Sequence, residues 1–240
     1  TAVAVLAGDW REQAADCFDV EDEDCSIETE LADGNTKITI TGVPAHASTP
    51  DQGKNSAKML IAVLSKLGIG GAPISLLHEA AGEGAYGVNL GIAGSDAVSG
   101  PLTINLGLLF VESGKISVTF DCRYPVFFDD KTVTGTVAKR LAPAGFVMEP
   151  CHASHPHHVP ESSELVTKLM AVYNGITETN GKPFAIGGGT YARHLKEGVA
   201  FGMMFPGEPE LAHQANECID VGNYIKSARI YAYAIVALCA

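Results

Sequence analysis

Residues 101–126 read PLTINLGLLFVESGKISVTFDCRYPV. Two apolar, β-prone runs flank Glu112-Ser113-Gly114-Lys115, a polar and glycine-containing tetrapeptide of the kind that closes an antiparallel hairpin. In the second run, alternation sends Ile116, Val118, Phe120 and Cys122 to one face, and Asp121 and Arg123 to the other. The apolar face requires cover from another layer. The hairpin is therefore the element around which the fold is predicted.

The flanking sequence supplies that cover. TAVAVLAG (1–8) is strand-like, WREQAADCF (10–18) helix-like, and EDEDC (21–25) a solvated acidic turn. TKITITGV (36–43) alternates, with Ile38 and Ile40 on one side and Lys37, Thr39 and Thr41 on the other. After the loop PAHASTPDQGK (44–54), Leu60, Val63, Leu64 and Leu67 recur at helical spacing, with Asn55 or Ser56 placed as the cap and Gly68-Ile69-Gly70-Gly71 as the stop. PISLLHEAAGEG (73–84) predicts a short helix and a glycine break. DDKTVTGTVAKRLAPAG (129–145) predicts a helix capped by Asp129 or Asp130, with Val133, Val137 and Leu141 inward. Strands and helices in this order imply an α+β unit with helices on one face of a mixed sheet.

The texture changes at EPCHASHPHHVPESSE (149–164), where proline, histidine and serine replace the apolar periodicity. A domain boundary is expected there, separating residues 1–158 from 159–240. Beyond it, Leu165, Leu169 and Tyr173 mark a helix, and Asn180-Gly181 a turn. PFAIGGGTYARHL (183–195) reads as strand, glycine turn and helix start, GVAFGMMFPG (198–207) as a strand, and the chain from about Asp220 as a final helix. Strands near Phe184–Ile186 and Val199–Met203 imply part of a parallel α/β sheet, too small to cover its own faces and edges.

Composition narrows the partners. With 28 acidic against 16 basic side chains the formal net charge is -12, which disfavours nucleic acid. No apolar run approaches membrane-spanning length, IYAYAIVALCA (230–240) included. The six cysteines lack CxxC spacing and fit reduced thiols of a cytoplasmic protein. The apolar start at Thr1, without methionine, suggests a piece of a longer protein.

Chemistry concentrates in GVPAHAS (42–48), in the Asp121/Arg123 face, in IGGGTYAR (186–193) and in FPGEPELAHQANE (205–217). With HPHHVP (155–160), these motifs together resemble the bacterial PepV-type dipeptidases of zinc peptidase family M20, over the whole chain. The resemblance implies a catalytic α/β domain with two zinc ions bridged by a carboxylate and a water. It also implies an inserted ferredoxin-like lid of two similar halves that closes over a dipeptide. Residues 1–158 match the lid and 159–240 the C-terminal part of the catalytic domain. The family's His-x-Asp and Glu-Glu motifs do not occur in this sequence, so the chain is expected to start just inside the lid and to be inactive alone.

By the same resemblance His213 is a zinc ligand, and Glu217 an acidic group behind it. His46 is the lid histidine that polarises the scissile carbonyl, and Arg123 the lid arginine that holds the substrate carboxylate. Gly188, Gly189 and Thr190 would receive substrate at a helix start, with Arg193 a turn further on. Without the resemblance, each of these residues also reads as an ordinary loop or surface group. His152, His155, His157 and His158 read as a hinge rather than a metal cluster. Two further readings are a non-catalytic binding or oligomerisation module, forming a homo-oligomer through exposed edges, and a related desuccinylase- or acylase-like amidohydrolase.

Overall fold

The computed structural model describes residues 1–82, 84–202, 204–209, 211 and 216–239. The chain divides into two compact units, Thr1–Pro156 and His157–Ala240.

The first unit is built from antiparallel strands and helices. Strands β1 (Ala2–Ala7), β2 (Ser26–Ala32) and β3 (Asn35–Thr41) form one sheet in the order β1-β3-β2, with helix α1 (Arg11–Asp16) between β1 and β2. The turn from β2 to β3 is Asp33-Gly34, with φ of 50° and 75°. Two successive left-handed residues define the turn whose twist matches that of the flanking strands. Thr36, fully buried, accepts the Trp10 amide at 2.9 Å and donates to the Gly8 carbonyl at 2.7 Å, so the first connection is pinned to β3.

Helices α2 (Ser56–Lys66) and α3 (Gly71–Ala81) follow, then a two-residue pairing of β4 (Ser95–Asp96) with β5 (Gly100–Pro101). The predicted hairpin is β6 (Thr103–Glu112) and β7 (Lys115–Arg123), turning at Ser113 and Gly114 with φ of 51° and 76°. The ladder runs from Thr103 opposite Arg123 to Glu112 opposite Lys115, with one irregularity between Leu106 and Leu108. Helix α4 (Asp130–Leu141) closes the unit, capped by the Asp129 carboxylate accepting the Thr132 amide.

One core joins these elements. Ile38 and Ile40 of β3, Leu60, Ile61 and Val63 of α2, Leu77 of α3, Ile104 and Leu106 of β6 and Val133 and Val137 of α4 are buried in a single cluster. Ile116, Val118, Phe120 and Cys122 lean against it from β7, as their alternation predicts. Asn55 links two layers: its side-chain oxygen accepts the Ala57 and Lys58 amides, and its amide donates to the Leu106 carbonyl and to Asn105 Oδ1, each at 2.8 Å. The expected mixed sheet is replaced by separate antiparallel sheets. Among the described residues β1 and β6 each have a strand neighbour on one side only, and a cavity of about 1010 Å³ lies along them, lined by Leu60, Leu64 and Ile74.

The second unit holds α5 (Glu164–Thr177) and α6 (Val221–Cys239), packed on each other. Ser163 caps α5 through the Val166 amide, and Asp220 Oδ1 accepts the Asn223 amide at 2.8 Å at the start of α6. Tyr173 stacks on Phe205, and Phe201 meets Tyr231 edge-on. The predicted strands are corrected here: among the described residues of this unit none is in a strand, and Phe184 is 85% exposed. A strand needs a neighbour to take its amides and carbonyls, and the described residues of this unit supply none. The predicted helix start at Thr190 is likewise a single 3-10 turn, Tyr191–His194.

Candidate functional site

The loop carrying His46 is closed at its neck. The Lys54 amide donates to the Val43 carbonyl at 2.8 Å. Gly53 sits where a Cβ would stand 2.7 Å from both the Val43 oxygen and the Ala45 Cβ, and a Cβ on Gly42 would strike the Lys54 carbonyl. Side chains are excluded at both ends, so the loop must be narrow. Within it, the Thr49 amide donates to the His46 carbonyl at 2.9 Å, and His46 Nδ1 lies 2.6 Å from Ser48 Oγ and 3.3 Å from the Ser48 amide nitrogen.

From Ser48 the contacts reach the hairpin. The Thr103 hydroxyl donates to the Ser48 carbonyl at 3.4 Å, and Thr103 stands opposite Arg123 in the β6–β7 ladder. Arg123 is gripped by Asp121 on the same face of β7: Nε donates to Oδ1 at 2.7 Å and Nη2 to Oδ2 at 2.8 Å. Both side chains are about a third exposed, so this pair serves alignment more than stability. The structure thus links the loop of His46 to the strand end bearing Arg123. Between Asp121 and Arg123, Cys122 points the other way, and burial, with a smaller push from the Asp121 charge, raises its thiol to about 11. A thiol shifted in that direction is a weaker nucleophile at neutral pH than a free one.

In the second unit Thr190 opens the 3-10 turn, its hydroxyl accepting the Ala192 amide at 3.3 Å. A Cβ on Gly189 would stand 2.8 Å from Arg193 Nη1, so the Arg193 side chain lies over the glycine backbone. Gly189, Thr190 and Arg193 are therefore brought together, with Gly188 adjacent in the chain. His213 lies outside the described residues. Among those described, no group of three or more His, Cys, Asp or Glu side chains is placed to hold a metal ion. The hinge histidines form no such cluster; His157 Nε2 instead bonds the Gly198 carbonyl at 2.6 Å. Glu208 is structural, accepting the Phe205 amide at 2.6 Å and the Asn223 side-chain amide.

Ser48 and Thr103 escaped the sequence reading. A serine two residues after a loop histidine is a local side-chain link visible in principle. The partnership with Thr103 depends on a contact 55 residues distant and has no local signature.

Comparison with known proteins gives this arrangement a context. The chain belongs to Peptidase family M20/M25/M40, whose model matches residues 10–237. It is similar to the putative dipeptidase YtjP of Bacillus subtilis (strain 168), 32% identical over 243 residues, covering 99% of this chain and 52% of that protein. It is also 36% identical over 214 residues to a Beta-Ala-Xaa dipeptidase of Lactobacillus delbrueckii subsp. lactis, covering 87% of this chain and 45% of that protein. The chain spans about half the length of the curated relatives it matches.

Proposed function

We propose that this chain is part of a zinc-dependent dipeptidase, with the Thr1–Pro156 unit acting as a ferredoxin-like lid and the His157–Ala240 unit as a portion of the α/β catalytic domain. The observation that carries the reading is the contact path His46–Ser48–Thr103 to the Arg123 strand end, which ties the loop bearing a hydrogen-bonding imidazole to the hairpin bearing a guanidinium. The family and its dipeptidase-named relatives support the reaction class.

The described residues do not compose a metal site by themselves. His213 is the ligand assigned to this chain, and its remaining partners belong to sequence outside these 240 residues. What this chain supplies is binding and polarisation. Arg123 presents a planar fork to the carboxylate of a dipeptide, with Asp121 fixing its orientation through Nε and Nη2. His46 donates a hydrogen bond to the scissile carbonyl as charge develops on its oxygen. Gly188, Gly189, Thr190 and Arg193 receive the peptide in the second unit. The strand-like segments at 184–186 and 199–202 take their strand neighbours from the absent part of the catalytic domain. All six cysteines are free thiols, in keeping with a cytoplasmic enzyme.

A second reading, an oligomerisation module forming a homo-oligomer, is favoured by the one-sided strands β1 and β6 with exposed Val3, Val5, Leu108 and Phe110. A desuccinylase or acylase differs only in substrate.

Kinetics of the protein that contains this chain decide between them. Arg123→Ala is expected to raise KM for dipeptides by about 2–5 kcal/mol of lost binding, and much less for amides lacking a C-terminal carboxylate. His46→Ala is expected to lower kcat on the order of 10²–10³-fold. The isolated 240-residue chain is expected to show no metal-dependent hydrolysis. Equal effects of Arg123→Ala on both substrate types would remove the carboxylate role.

A further inference from the structure

The His46 ring is contacted at Nδ1 by two groups of Ser48, the amide nitrogen at 3.3 Å and Oγ at 2.6 Å. A backbone N–H can only donate. Nδ1 must therefore present its lone pair, and the hydroxyl beside it donates to the same atom in a shared hydrogen bond. The opposite tautomer, with hydrogen on Nδ1, would let Oγ accept but would aim the Ser48 N–H at another hydrogen. In a neutral imidazole the single ring hydrogen then sits on Nε2.

We infer that Ser48 is a positioning residue that fixes His46 as the Nε2–H tautomer, making Nε2 the hydrogen-bond donor of this loop. The loop is built to hold this relation. Thr49 N–H to the His46 carbonyl, Lys54 N–H to the Val43 carbonyl and Thr103 Oγ1 to the Ser48 carbonyl fix the backbone on both sides of the ring. The Gly53 approach leaves no room for the neck to widen. The tautomer is a property of this chain alone. Its catalytic meaning rests on the proposed role of His46, because only an N–H at Nε2 can stabilise an oxyanion from that side of the ring.

The test is a long-range ¹H–¹⁵N correlation spectrum of the full 240-residue chain, recorded where imidazole is neutral, with His46 assigned by its loss in His46→Gln. A pyridine-like Nδ1 and a pyrrole-like Nε2 in one tautomer are expected. Ser48→Ala should move both signals toward the mixed tautomers of free imidazole, and Ser48→Thr should restore them. A pyrrole-like Nδ1 in the wild-type chain, or a spectrum unmoved by Ser48→Ala, overturns the inference. In the complete enzyme Ser48→Ala should lower kcat about tenfold, with KM nearly unchanged, as the misorientation of one group would. A tautomer shift with kcat intact in both Ser48→Ala and His46→Ala leaves the Ser48 assignment standing and removes the catalytic role of His46.

Discussion

Ile38, Ile40, Ile61 and Leu64 in the first unit are buried, whereas Phe184, Ile186, Tyr191 and Leu195 in the second are exposed. The two sets are alike in chemistry and differ in what their backbones have available. β3 is paired on both sides, by β1 and by β2, and its inward isoleucines meet α2 across one layer. Among the described residues no strand pairs with the 184–195 stretch, and its apolar side chains stay exposed. Apolar pattern creates a demand for burial, and hydrogen-bonded neighbours decide whether it is met.

The largest expected difference follows directly. Residues 1–156 produced alone should fold cooperatively, with slow amide exchange in β3, α2 and β6. Residues 157–240 produced alone should exchange rapidly outside α5 and α6, since few buried contacts protect the segments between them. Slow exchange throughout 157–240 in a strictly monomeric sample would break the comparison and show that the second unit is self-sufficient.

The same contrast explains which features were legible in the sequence. The β6–β7 hairpin, the Asn55 and Asp129 caps and the inward faces of α2 and α4 are encoded within a few residues of each other. The strands expected at 184–186 and 199–203 share that local signature but find no strand partner among the described residues. At the candidate site, His46 and Arg123 were readable through a family resemblance, and Asp121 through alternation. The Ser48–Thr103 contact that connects their elements was not, because its register is set only once β6 packs beside the loop. The antiparallel sense of β6 and β7 was legible from their short turn, whereas the division into separate sheets was not. Which hairpins share a sheet depends on non-local pairing rather than on alternation within any strand.

A substitution pair sharpens the comparison at a smaller scale. Ile61 is 0% exposed at the centre of the first core, and Ile235 on α6 is 62% exposed. Ile61→Ala should cost about 2–5 kcal/mol through lost transfer energy and a residual cavity. Ile235→Ala should cost less than about 0.5 kcal/mol, as exposed substitutions generally do. Urea denaturation of the 240-residue chain measures both. A substantial loss at Ile235 would reveal that this face of α6 is covered in solution.

The smallest expected effect concerns acid. Asp96 Oδ1 accepts the Val98 amide at 2.8 Å and the Ser99 amide at 2.6 Å; Oδ2 accepts the Phe127 amide at 3.4 Å, and the Ser99 hydroxyl lies 3.0 Å from both oxygens. The Ser99 amide foremost holds the carboxyl below its ordinary 3.8, against an opposing effect of burial, with the Val98 amide adding a smaller pull in the same direction as Ser99. In the first unit Asp9 is lowered likewise by the Arg11 side chain, and Asp129 by the Thr132 hydroxyl; in the second, Glu164 is lowered by Lys168. A folded-state value beneath the unfolded one contributes stability that is fully present above the unfolded value and is lost as pH falls through the folded one. Stability of the first unit should therefore be flat above about pH 5 and should decline below about pH 4. Asp96→Asn should flatten part of that decline, leaving the shares of Asp9 and Asp129. Denaturant midpoints of residues 1–156 at successive pH values measure the slope. An unchanged slope in Asp96→Asn would mean that the hydrogen bonds joining the β4–β5 turn to the segment after β7 persist in the unfolded chain or do not favour the ionised form.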